Sequence, residues 1–211
     1  MPSPNDHHQA SSRVDGRTAR AERTRTAIID AHASLILGGD LRPTAERIAE
    51  RAGVSLRALW SHFADMETLF GASGARILEL QDEAHNPIPA TLPLRGRIDA
   101  YCRQRARLLE QLAPAARAAQ LKEPFSPALQ RHRRTHLDRA RVELAELFAP
   151  ELAAAGDRRD ELLTALIAVS MWPTWATLRD AMGVDLDTAS AVLTRTVTAL
   201  LVPAPGARNG P

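Results

Sequence analysis

Residues 44–63 read TAERIAERAGVSLRALWSHF. Ala49 is small where two helices must cross closely. Gly53, four residues on, suits a tight turn that needs positive φ. Leu59, six further, packs a second helix back onto the first. Thr44 and Ser55 stand where N-caps belong, each hydroxyl able to satisfy a free backbone N–H. The spacing predicts short helices over about 44–52 and 55–62, joined at a steep angle as a helix-turn-helix. In such a motif the second helix enters the DNA major groove.

Outward from this stretch the chain reads as helices broken by glycine and proline, with no alternating strand pattern. A helix over about 18–37 carries Ala27, Ile28, Ala31, Leu35 and Ile36 on one side and ends at Gly38-Gly39. A fourth opens near Asp65 and stops before Asn86-Pro87. Others are expected over about 94–112 (stopped near Pro114), 115–122, 127–148, 159–181 and 186–202, with a loop through Pro150 and Gly156-Asp157. The fold class is all-α, with about nine helices. Residues 1–17 and 203–211 are expected to be a disordered basic arm and a disordered tail.

The chain has 211 residues, 27 basic and 25 acidic, for a net charge of +2. The total conceals an uneven distribution. Arg13, Arg17, Arg20, Arg23 and Arg25 face only Asp15 and Glu22 in the N-terminal stretch. Residues 95–141 hold twelve basic side chains against four acidic, whereas residues 142–211 hold five against nine. Local potential is what a polyanion meets, so low net charge does not exclude a DNA ligand. The single cysteine, Cys102, excludes an internal disulfide framework and a cysteine-based metal centre. No apolar run reaches the ~20 residues of a membrane span. No secretory signal is read at the N-terminus, and a cytoplasmic location is expected.

At Thr44, Ile48-Ala49, Ala52-Gly53-Val54-Ser55, Leu59-Trp60-Ser61-His62-Phe63 and Met66-Glu67-Thr68-Leu69 the sequence resembles the TetR family of transcriptional regulators. The resemblance covers about residues 18–72. It implies a DNA-binding domain over 18–64 and a ligand-binding and dimerisation domain over 65–202. It also implies a homodimer on a double-stranded DNA operator, released by a small-molecule effector. By the same resemblance Leu56, Arg57, Trp60 and Ser61 face the bases, Arg57 being suited to a paired contact with guanine. Arg42 is a candidate phosphate cation, and Thr44, Ser55 and His62 would hold phosphates. Simple capping is the alternative role of Thr44 and Ser55, and core packing that of Trp60. Three residues depart from the family pattern. Trp60 replaces a tyrosine, Ala58 a threonine and Met66 a lysine, and the last two remove phosphate contacts.

In the C-terminal part, Leu94, Ile98, Tyr101, Leu108 and Leu112 form an apolar stripe interrupted by Arg105. An arginine there either meets an acidic ligand or closes an internal ion pair. Cys102 reads as a packing residue. His132 and His136 have the i, i+4 spacing of a metal pair, but Arg131, Arg133, Arg134 and Arg139 surround them and disfavour a cation. His136 remains a candidate at a pocket edge. The segment over about 159–202 is apolar nearly all round and suits pairing with a second copy. Pro173 should kink it and admit Trp172 or Trp175 to a ligand cavity, core filling being the alternative. Candidate ligand residues are therefore Tyr101, Arg105, His136, Trp172 and Trp175. No cofactor or metal is expected.

Three functional classes follow. The leading one is a ligand-responsive repressor. The second, motivated by Ala58 and Met66, is a small-molecule- or protein-binding helical dimer with a weakened head. The third, an enzyme, is supported by no phosphate loop, metal cluster or nucleophile-base motif.

Overall fold

The computed structural model describes residues 5–83 and 86–202, with side chains from Gly16 onward. The expected C-terminal tail, 203–211, and the first residues of the arm, 1–4, lie outside the described residues. Among the described residues there are ten α-helices and no strand. They form two compact units, one of residues 5–83 and 117–130, the other of residues 86–116 and 131–202.

The first unit begins with α1 (Asn5–Leu37). The expected start near Thr18, with a disordered arm before it, is corrected, since the helix extends back to Asn5. No proline lies between Pro4 and Pro43 to stop it, and a nucleated helix propagates cheaply. Its C-terminus closes where Gly39 takes φ 95°, with Asp40 N–H reaching Leu35 O and Gly39 N–H reaching Ile36 O. Helices α2 (Ala45–Ala52), α3 (Leu56–His62) and α4 (Met66–Glu83) follow. Ile28, Ala31, Ile48, Ala49, Leu59, Phe63 and Leu69 are the core of this unit. Burying each larger side chain is worth about 1.5–3 kcal/mol.

His32 is fully buried between α1 and α4, edge-on to Phe70 at 4.5 Å. Ser73 Oγ donates to Leu69 O, so His32 Nδ1 is the group that donates to Ser73 Oγ, at 2.7 Å. Burial, aided by the Lys122 charge and opposed by Asp40, lowers the imidazole pKa to about 4. Residues 117–130 pack in this unit too. Ser126 Oγ donates to Glu67 Oε1 at 2.5 Å, and Lys122 Nζ lies 3.5 Å from the Phe70 ring centre.

The second unit holds the start of α5 (Leu94–Lys122), most of α6 (Pro127–Leu147), α7 (Ala149–Ala154), α8 (Arg159–Ser170), α9 (Trp172–Ala176) and α10 (Leu186–Leu201). Three expectations are corrected here. α5 does not stop near Pro114 but continues through it to Lys122. A helix-internal proline costs about 3 kcal/mol. Alanines at 113, 115, 116, 118 and 119 favour the helix, and Ala113 and Ala118 are buried. The expected loop through Pro150 is the short helix α7, with proline in the first turn where no donor is needed. The helix expected over 159–181 is broken rather than kinked. Met171 is extended (ψ 161°), α9 starts afresh with Pro173 in its first turn, and a π-helical turn spans Thr177–Ala181. Ile98, Tyr101, Leu144, Phe148, Leu166, Trp175, Leu193 and Val197 lie in its core.

Candidate nucleic-acid interface and effector site

The turn between α2 and α3 is built by Gly53, at φ 67° and ψ 32°. Gly53 N–H bonds Glu50 O and Val54 N–H bonds Ala49 O, the two hydrogen bonds of a left-handed helix stop. Thr44 Oγ1 accepts from Arg47 N–H at 3.4 Å and Ser55 Oγ from Ala58 N–H at 3.1 Å. Both threonine and serine cap their helices while their side chains stay exposed. On α3, Leu59 is fully buried and fixes the helix by one side. The opposite side presents two pairs at i, i+4 spacing, Leu56 with Trp60 and Arg57 with Ser61, all exposed. Trp60 is 40% exposed, so the core-packing alternative for it is corrected. An exposed tryptophan and leucine thus share this helix face with an arginine. Arg42 is exposed at the approach to α2, His62 is half-buried at the end of α3, and Ser61 Oγ donates to Ala58 O. Met66, where the family pattern has lysine, packs partly into the core of this unit.

In the second unit two buried arginines lie eight residues apart on α5. Arg97 is fully engaged. It meets Glu151 through Nη1 (2.9 Å) and Nη2 (2.6 Å), Leu147 O through Nη1 and Leu92 O through Nε. Arg105 donates from Nη2 to Glu143 at 2.7 Å, but its Nε has no hydrogen-bond partner. The ion pair thus exists, and it leaves a donor over. Tyr101 Oη and Ser170 Oγ are likewise buried without a hydrogen bond. Burial raises the phenol's pKa; Arg105 and Ser170, beside it but outside bonding geometry, act against that. His136 is held neutral, at about 4, first by burial and then by the charges of Arg105 and Arg139. Trp175 is buried with its indole N–H on Glu110 at 2.8 Å, an anchor shared with Arg179 Nε. Trp172 sits half-buried at the edge of the same core. Tyr101 and Arg105 are therefore brought together, with His136 near Arg105, whereas Trp175 is tied to Glu110. Burial pushes the Cys102 thiol up to about 11, as befits a packing residue. A separate open groove of about 840 Å3, lined by Ile98, Asp99, Thr194, Arg195 and Thr198 among others, includes none of the five candidate ligand residues.

No protein-family profile matches the sequence, and no curated protein is similar to it. Solved structures are. One, from Mesorhizobium loti and assigned to the TetR family of transcriptional regulators, is 20% identical with a TM-score of 0.63, over 86% of this chain and 96% of its own. Another, a transcriptional regulator from Rhodococcus sp. Rha1, is 19% identical with a TM-score of 0.56, over 86% and 95%. The fold is that of a TetR-family regulator.

Within this TetR-type fold, several groups escaped the sequence reading. The bonds His32–Ser73 and Arg97–Glu151 join residues 41 and 54 positions apart, and no local pattern announces either. Ser170 carried no signal, because a single serine inside the helix expected over 159–181 looks like any other helix position. A buried arginine on an apolar stripe was the available clue for Arg97, as it was for Arg105.

Proposed function

We propose that this chain is a DNA-binding transcriptional regulator, acting as a homodimer and released from its operator by a small molecule. The observation that carries the reading is the outward face of α3, where Leu56, Arg57, Trp60 and Ser61 project from a helix locked by Leu59 and by the Gly53 turn. Arg57 is free to pair with guanine, and the apolar pair suits thymine methyl groups. Arg42, Thr44, Ser55 and His62 are the proposed phosphate contacts that set register. The proposed division keeps 18–64 for DNA and 65–202 for effector and partner. Self-association is assigned to residues 159–202, where Leu186 and Val192 of α10 are exposed and apolar. Two heads must reach successive major grooves about 34–36 Å apart, so an effector that alters their spacing forfeits a half-site. Tyr101, Arg105, His136, Trp172 and Trp175 are the proposed effector residues. The neighbours' role as regulators supports a protein without turnover.

A second reading, a dimer that binds small molecules or proteins with a weakened head, draws on Ala58 and on the packing of Met66 into the core. Gel mobility with the DNA upstream of its own gene separates the two. A sequence-specific complex lost on Arg57→Ala supports the regulator. No specific complex at low salt, with the dimer intact, overturns it.

A further inference from the structure

The two buried arginines of α5 differ in a way that bears on what the second unit binds. Arg97 has acceptors for every edge of its guanidinium. Arg105 does not: its guanidinium lies 5.3 Å from the Tyr101 ring centre, Ser170 neighbours the same phenol, and Arg105 Nε, Tyr101 Oη and Ser170 Oγ are all buried without a hydrogen-bond partner. Tyr101 is 1%, Arg105 4% and Ser170 0% exposed, so none of the three borrows bulk water. A buried donor without an acceptor costs about 1–3 kcal/mol, so each of these groups calls for a partner beyond the chain's own hydrogen bonds. The local backbone is irregular at the same place. Ser170 is the last residue of α8, and the extended Met171 breaks the helix directly after it. Breaks of local regularity of this kind recur at functional sites.

We propose that Tyr101, Ser170 and Arg105 form the polar end of the effector site, and that the effector presents a neutral carbonyl-class acceptor on an apolar frame. This rests on the reading of the second unit as effector-binding. The acceptor follows from the chemistry, because Nε–H only donates and both hydroxyls have a proton to give. Neutrality follows from Glu143, which already balances Arg105. An added carboxylate would leave a buried net negative charge, which is costly. The apolar frame follows from the surroundings, with Phe148 edge-on to Tyr101 at 5.9 Å and Ile98, Leu144, Leu166 and Met171 in the same core. Trp172, just past the break, packs against the same core.

The test uses the full chain and three ring probes of one size: cyclohexanone, methylcyclohexane and cyclohexanecarboxylate. Binding is read by ligand-observed NMR, and the ketone's carbonyl stretch by infrared difference. Cyclohexanone should bind tightest, with its stretch shifted down by hydrogen bonding. Tyr101→Phe should weaken it roughly 2–10-fold, the worth of one hydrogen bond, and leave methylcyclohexane unchanged. Free Tyr101→Phe and Ser170→Ala proteins should melt no lower than the parent, since each loses only an unsatisfied group. Equal binding of ketone and hydrocarbon, preference for the carboxylate, or no saturable ketone binding up to about 50 mM overturns the proposal. So does a fall of several degrees in both free variants, which would make the cluster a structural network. Operator binding is scored separately through Arg57→Ala. If it persists while the ketone ignores Tyr101→Phe, this proposal alone falls and the regulator reading stands.

Discussion

Removing Glu151 should cost far more than removing Glu143, although each pairs with a buried arginine of α5. The Arg97 and Glu151 side chains are 6% and 15% exposed and share a two-pronged contact. In Glu151→Ala the guanidinium, 5.7 Å from the Phe148 ring centre, keeps Leu92 O and Leu147 O but loses the Glu151 carboxylate. An uncompensated buried charge of this kind costs about 3–5 kcal/mol, and alanine's better helix propensity returns only a few tenths. The Arg105–Glu143 pair is single-pronged and Glu143 is 27% exposed, so water can replace the carboxylate. Glu143→Ala should lose about 1–2 kcal/mol. The assay is urea unfolding followed by emission of Trp172 and Trp175 in a Trp60→Phe background, which isolates the second unit. The double variant Arg97→Met, Glu151→Leu should regain most of the loss, because a well-packed apolar pair replaces the ionic one. Equal losses for the two glutamates, or less than about 1 kcal/mol for Glu151→Ala, would refute the assignment of Arg97 as the satisfied lock and Arg105 as the incomplete one.

Other outcomes follow from the first unit. Gly53→Val forces a β-branched residue to φ 67° and should destabilise the turn by about 1–2 kcal/mol, read as a lower melting point and loss of specific DNA binding. His32 falls from an ordinary 6.5 to about 4, so it is neutral when folded and its contribution is complete above pH 6.5. Stability should then decline by roughly 3 kcal/mol as pH drops from 6.5 through 4, because the unfolded chain takes up the proton first. An NMR titration of the His32 ring with a midpoint near 6.5 would contradict this. Met66→Lys should steepen the salt dependence of DNA binding by about one counterion while lowering the melting point, since Met66 also packs the core. A steeper slope with no stability loss would show that its packing is dispensable.

The turn from α2 to α3 was legible because its determinants are local: two caps, one glycine and one leucine within twenty residues. The exposed face of α3 was legible for the same reason, and the exposure of Trp60 removes its core-packing alternative. Pro114 misled because propensity is a weak prior and the alanine-rich surroundings overrode it. Pro173 misled differently. It was expected to bend a continuous helix, but placing it in the first turn of a new one removes the clash and shifts the break to Met171. Residues 117–130 are the end of α5, the start of α6 and the turn between them, and nothing local reveals that Ser126 and Lys122 meet α4. The pairing of Arg105 with Glu143, and the spare hydroxyls beside it, are three-dimensional facts that no spacing encodes.

Whether the head reads DNA is measured by hydroxyl-radical footprinting on the upstream region. Two protected patches are expected, centred about 10–10.5 base pairs apart or a multiple of that, both abolished by Arg57→Ala. Uniform protection indifferent to Arg57, or no protection at low salt by an intact dimer, would contradict the regulator reading.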